Sequence, residues 1–204
     1  MKKSLILIFG LIVAHYAANT QSEILPHLKD MEGFKTVGYF PTDQSGVTIG
    51  IGIDLGQQTQ ISGISSTIQN KIKKYLGLKT RAEVERKGLK ASDLKLTVQE
   101  AEELSMVFIK DSINAVSQYA KNMNDKGFAA LVSLRHWNGF LSCSGAGCKL
   151  SNLVSGKYVN YVWNAISGGA ATNSQLKTAL QNTLKGKTQG TATYNRIQRE
   201  INYL

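Results

Sequence analysis

Two β-prone segments near the N-terminus, joined by a turn of Pro, Asp, Ser and Gly, are followed by helical periodicity to the end of the chain. That order predicts an α+β fold, with a small mixed lobe over residues 23–62 and a larger helical lobe over 63–204. A length of 204 residues, 42% of them hydrophobic and 19% charged, fits one globular domain or two lobes sharing a core. The 2 prolines and 19 glycines form no periodic or low-complexity run, which excludes collagen, mucin-like stalks and Pro-rich linkers.

Each element has its own signal. Ile24, Leu25, Leu28 and Met31 recur at helical spacing over Glu23–Met31, with Pro26 in the first turn and Gly33 as the stop. Thr36 to Phe40 and Val47 to Asp54 flank the turn and read as a hairpin. In the second segment Ile49, Ile51 and Ile53 alternate with Gly50 and Gly52, so an uninterrupted strand is expected to be apolar on one face and bare backbone on the other. Glycine there often marks close approach by a ligand or another backbone. Ile64 to Leu76 is amphipathic and ends at Gly77. Thr97-Val98-Gln99-Glu100 is a capping box, and the helix it opens carries Leu104, Phe108, Ile109 and Val116. Asp125–Trp137, Val159–Ile166, Gln175–Leu184 and Tyr194–Tyr203 complete the helical part, and there is no internal repeat.

The N-terminus predicts export. Lys2 and Lys3 precede the apolar run Leu5 to Ala14, the layout of a secretory signal peptide over residues 1–18, with Ala17 or Ala18 at the cleavage site. The run is short of the roughly 20 residues a spanning helix needs, so no stable membrane span is expected. An uncleaved, membrane-tethered form and a buried N-terminal core segment are the alternatives. Cys143 and Cys148 agree with a secreted or periplasmic location: in an oxidising space an even pair reads as a disulfide. The rival, a metal pair, has only His136 near in sequence, too few ligands for a site.

Lys+Arg 24 against Asp+Glu 14 gives +10, and removal of Lys2 and Lys3 leaves 22 − 14 = +8. The partner is therefore polyanionic: nucleic acid, an anionic membrane, or a bacterial wall rich in acidic polymer. Interspersed rather than striped Lys/Arg, the export signal and the lack of a binding motif argue against nucleic acid.

Chemistry concentrates around the hairpin. Glu32 closes the first helix, where the macrodipole disfavours an anion, and apolar Met31 and Phe34 beside it act in the same direction. A carboxyl kept protonated is what a glycosidase's general acid has to be, although a solvated surface glutamate reads the same way in isolation. Thr48 and Asp54 lie six residues apart, so in a continuous strand both side chains point to one face, with Gly50 and Gly52 leaving room between them. A hydroxyl and a carboxylate so placed could hold an attacking water; plain turn chemistry, with Asp54 as a cap, is the other reading.

Glu32-Gly33, the hairpin and the block Gly46-Val47-Thr48-Ile49-Gly50-Ile51-Gly52-Ile53-Asp54-Leu55-Gly56 resemble the phage-type (T-even) lysozymes, closest to their pesticin-like branch. Leu96 to Leu104 resembles the helix start after the cleft in phage lysins, Ala129 to Gly139 their central helix, and Trp163 to Ala165 with Arg196 to Glu200 their closing segments. The resemblance implies a lysozyme-like fold with a cleft between the lobes. It also implies a muramidase, cleaving the β-1,4 bond between N-acetylmuramic acid and N-acetylglucosamine in peptidoglycan. Carried over, Glu32 is the general acid, Thr48 a water-positioning hydroxyl, and Asp54 the pesticin-like carboxylate that orients or deprotonates that water. The phage enzymes place their aspartate before the threonine; the position at that spacing here is Thr42, with Asp43 next, so Asp43 is the alternative carboxylate. Inversion by this route requires carboxyls roughly 6.5–9.5 Å apart and neither metal nor cofactor.

Around these residues, Tyr39 is a candidate for stacking on sugar or for the core, and Gln57 and Asn138 for hydrogen bonds to acetamido groups or for turn caps. Arg135 is expected to meet Glu32 across the interlobe seam, as the resemblance suggests, or to sit in a surface ion pair. The expected partners are glycan strands and an immunity or inhibitor protein, with the enzyme a monomer. A non-catalytic wall-binding protein on the same fold and a chitinase-like glycosidase are the alternative functions.

Overall fold

The computed structural model describes residues 22–138, 161–185 and 187–204, the side chains of Asn138, Trp163 and Asn164 excepted. The expected signal peptide and the Cys143–Cys148 disulfide lie outside the described residues. Among those described, no helix is long and apolar enough to cross a membrane.

The fold is mixed α+β: a three-stranded antiparallel sheet in the order β1-β2-β3, and otherwise helices. After α1 (22–32) come β1 (Lys35–Tyr39), β2 (Thr48–Gly50), β3 (Ile53–Asp54) and a 3₁₀ turn, Leu55–Gln57. Next are α2 (Ser66–Ile72), α3 (Arg81–Arg86), α4 (Val98–Ser117), α5 (Asp125–Asn138), α6 (Tyr161–Ile166), α7 (Asn173–Leu184) and α8 (Ala192–Tyr203). The chain divides into two compact units, one of residues 28–111 and the other holding His27 and Ser112–Leu204. Residues 63–111, read from sequence as the start of the helical lobe, thus group with the sheet.

In the 28–111 unit, β1 pairs with β2 on one side and is bridged to Lys95 through Val37 on the other. The Gly38 amide donates to the Leu94 carbonyl (2.9 Å), and the Leu96 amide to the Thr36 carbonyl (2.9 Å). Gly38 allows this approach: a Cβ there would stand 2.5 Å from the Ala91 carbonyl oxygen and 2.8 Å from Val47. Ile49, Ile51 and Ile53 are all buried, together with Val47, Leu55, Ile68, Ile72, Leu94 and Leu104. The three isoleucines expected on an apolar face are thus all in the core. Tyr75 is fully buried, and its hydroxyl donates to the Lys90 carbonyl (3.1 Å), so its one polar atom is satisfied.

The capping box at the start of α4 forms in both directions: Glu100 N donates to Thr97 Oγ1 (3.1 Å) and Thr97 N to Glu100 Oε2 (2.7 Å). Carboxylates of its first turns then tie the helix to its neighbours. Glu100 pairs with Lys71, Glu102 with Lys29, and Glu103 accepts from the Ser65 amide (2.5 Å).

In the other unit, α7 packs against α5, α6 and α8. Ile24, Leu131, Val132, Ile166, Leu176, Leu180 and Ile197 are among its buried side chains. Within this core sits a polar network that periodicity does not reveal. Glu200, fully buried, accepts from Ser133 Oγ (2.6 Å) and Arg196 Nε (3.3 Å) and lies 2.7 Å from His27 Nε2. The Tyr203 ring stacks on His27 at 3.7 Å, and its hydroxyl donates to Glu23 (3.0 Å). Burial, then the Glu23 contact, raises the Tyr203 phenol well above its usual value.

Candidate active site

The segment expected as one continuous strand is a tight hairpin. β2 stops at Gly50, the chain reverses through Ile51 and Gly52, and β3 returns at Ile53. Ile49 is paired with Ile53, and Thr48 with Asp54. Gly50 (φ +65°) and Gly52 (φ +96°) supply the left-handed backbone such a reversal needs. The pair is turn chemistry, not a bare strip along a strand face. The expected room is closed beside Gly50, where a Cβ would stand 2.8 Å from Ser105 Oγ of α4, and open beside Gly52, where among the described residues a Cβ would meet nothing within 4 Å.

Thr48 and Asp54 nevertheless share a face, by a different route from strand alternation. They are directly opposite on antiparallel strands, and opposite residues project to the same side with Cβ atoms about 4.5–5.5 Å apart. Tyr39 of β1 is the Cα partner of Thr48 on its other side, so Tyr39, Thr48 and Asp54 form one row across the sheet. The register slips between Lys35 and Tyr39, which are paired with Gly50 and Thr48.

Local contacts fix each member of the row. Thr48 is 2% exposed, and its hydroxyl donates a long hydrogen bond to the Gly46 carbonyl (3.4 Å). Asp54 caps the 3₁₀ turn, its Oδ1 accepting from the Gly56 amide at 2.8 Å. Gly46 is required beside it, because a Cβ there would lie 2.6 Å from Asp54 Oδ1 and 2.5 Å from the Leu78 carbonyl oxygen. Asp54 is therefore both a cap and a member of the row, and its second carboxylate oxygen is not needed by the cap. The half-buried Tyr39 carries the Lys35 ammonium 3.8 Å from its ring centroid, and burial raises its phenol above the usual value.

Glu32 ends α1 and is half-buried, with Gly33 (φ +79°) as the left-handed residue that terminates the helix. Three residues later Lys35 is paired with Gly50, so the end of α1 is delivered to the end of the ladder nearest the 50–52 turn. Thr48 lies two residues from Gly50 along β2, about 6–7 Å at a strand rise of 3.3 Å per residue. Glu32 thus enters the sheet at its turn end, and Thr48 and Asp54 form the row at the other end of the short β2–β3 ladder. Such a set can deliver a proton from one carboxyl while a hydroxyl and a second carboxylate bind one water.

Asp43 is placed elsewhere. It sits at the exposed tip of the β1–β2 loop, its side chain 80% exposed, 3.3 Å from Arg81 Nη1. The Arg81 amide also donates to the Asp43 carbonyl (3.2 Å), fixing the loop to the start of α3. Gln57, in the 3₁₀ turn, is exposed. Arg135 is half-buried in the last turn of α5, and Asn138 ends that helix. Among the described residues, no three His, Cys, Asp or Glu are disposed to hold a metal ion.

A comparison with individually curated proteins finds no match. A family model described as "Pesticin: Bacterial toxin homologue of phage lysozyme, C-term" matches residues 24–135, more than half the chain. The match takes in Glu32, Tyr39, Asp43, Thr48, Asp54, Gln57 and Arg135; Asn138, Trp163 and the Arg196–Glu200 segment lie beyond it. The chain belongs to the pesticin family of bacterial toxin homologues of phage lysozyme.

Proposed function

We propose that the protein is a muramidase, hydrolysing the β-1,4 bond between N-acetylmuramic acid and N-acetylglucosamine of peptidoglycan. The observation that carries the reading is the Thr48–Asp54 cross-strand pair, which lies with Glu32 inside the region matched by a phage-lysozyme-like family. In this reading Glu32 protonates the leaving glycosidic oxygen as positive charge develops on the sugar ring. Thr48 and Asp54 hold a water on the opposite face, and Asp54 takes its proton as it attacks. The product has inverted anomeric configuration. Tyr39, next in the row, offers a ring face to the sugar.

Export through residues 1–18, a Cys143–Cys148 disulfide, action as a monomer and control by an immunity or inhibitor protein belong to the same proposal. The excess of Lys and Arg, +10 over the chain, suits an anionic wall. Digestion of a defined peptidoglycan, with mass analysis of the released fragments, tests the activity. Fragments ending in reducing N-acetylmuramic acid support it. Fragments ending in reducing N-acetylglucosamine, or wall binding with no new reducing ends, overturn it.

A further inference from the structure

An open groove of about 350 Å³ runs between α6 and α7, within one compact unit and beyond the residues the family model matches. Its shape follows from sequence spacing. Ala165 and Ala179 are small enough to leave a trough between the two helices. Tyr161, one turn before Ala165, stands at its edge with 37% of its surface exposed. Ser174, Thr178 and Asn182, four residues apart, form a polar stripe along the facing side of α7. Among the described residues, no charged side chain lines the groove, although the chain carries a net +10.

The polar atoms are only partly used. Thr178 Oγ1 donates to the Ser174 carbonyl (2.9 Å), and Gln175 Oε1 accepts from the Thr172 amide (2.8 Å). Among the described residues, the Ser174 hydroxyl and the Asn182 carboxamide have no hydrogen-bond partner. A carboxamide offers one acceptor and two donors, the complement of an acetamido group. An aromatic face beside neutral donors and acceptors suits a pyranose, which has an apolar C–H face and a polar rim. Among the described residues, an anion or cation would find no countercharge here. The volume lies at the lower end of small-molecule sites, roughly 300–1,000 Å³.

We propose that the α6–α7 groove is a second saccharide site, binding an uncharged N-acetylated hexosamine by stacking on Tyr161 and pairing its acetamido group with Asn182. The choice of sugar rests on the wall-glycan reading above, but the test reads binding, not turnover. N-acetylglucosamine is titrated into the isotope-labelled, otherwise unaltered protein, with glucose as the comparison. Amide resonances of α6 and α7 are expected to shift with N-acetylglucosamine, and at least about tenfold more weakly with glucose. Tyr161→Ala and Asn182→Ala should each raise the apparent Kd about tenfold or more, with far-UV circular dichroism unchanged.

No shift at α6 and α7, an equal response to glucose, or undiminished binding by both variants overturns the groove assignment. Cleavage of peptidoglycan without shifts here sinks the groove alone. Shifts here without any reducing ends sink the muramidase reading alone.

Discussion

Thr48 and Asp54 are directly opposite each other on β2 and β3, and the glycines between them are the turn that makes this possible. The pairing places a buried hydroxyl beside a carboxylate whose Oδ1 is already held by the Gly56 amide. One residue therefore serves as a helix cap and as half of a candidate water site.

That double use gives a clean substitution. An asparagine in place of Asp54 would keep a cap oxygen for Gly56 but could not accept a proton. Asp54→Asn is expected to retain the fold and lose roughly a hundred- to ten-thousandfold in turnover, the range of general-base contributions. Asp43→Asn, at an exposed loop tip paired with Arg81, should stay within about threefold of the unaltered protein; exposed ion pairs contribute at most about 1 kcal/mol. Reducing-end release by the two variants, measured side by side, checks both statements.

Thr48 is buried, so its hydroxyl can be tested without changing its shape. Thr48→Val replaces the hydroxyl with a methyl and should cost about tenfold or more in kcat while thermal unfolding shifts little. Thr48→Ser keeps the hydroxyl and should recover most of the rate. The lost hydrogen bond would be worth about 0.5–1.5 kcal/mol in a ground state and more where charge develops. Equal rates for the Val and Ser variants would remove Thr48 from the chemistry.

The network around Glu200 predicts a stability effect separate from catalysis. Glu200→Gln preserves volume but withdraws the charge that Arg196 and His27 meet in a fully buried setting. Removing one partner from such a cluster costs about 3–5 kcal/mol, visible as a lower urea midpoint. An unchanged midpoint would contradict the role given to the cluster.

Glu100 links the start of α4 to pH. Its hydrogen bond from Lys71, and then that from the Thr97 backbone, hold its carboxyl below the usual value. A lowered folded value favours the charged form, so this stability is fully present above about pH 4.3, the unpaired value. It disappears as pH falls through the folded value. Lys71→Met removes the largest cause, so the loss of stability below about pH 4.3 should be shallower than in the unaltered protein. Acid titrations of urea midpoints for the two proteins check the difference.

The helices are largely legible because their signals are local: the Thr97–Glu100 capping box, the stop at Gly33 and the amphipathic runs need only neighbours in sequence. α3 escapes periodicity because it is short and mostly polar, with Val84 its one buried residue. The 48–54 hairpin differs from the expected strand for a more instructive reason. Ile-Gly-Ile-Gly-Ile satisfies strand alternation and hairpin-loop composition equally well, and only the positive φ at Gly50 and Gly52 separates them. Thr48 and Asp54 are still matched to one another, since cross-strand pairing and even spacing both put side chains on one face. The His27–Glu200 contact spans 173 positions, and nothing in the pattern around either residue announces the other.

The most direct measurement on the central claim compares Glu32→Gln with the unaltered protein for reducing-end release from purified peptidoglycan, both shown to be folded by circular dichroism. If Glu32 at the end of α1 donates the proton, the amide variant should lose roughly a hundred- to ten-thousandfold in rate. A Glu32→Gln protein that clears the polymer at the original rate would contradict the account.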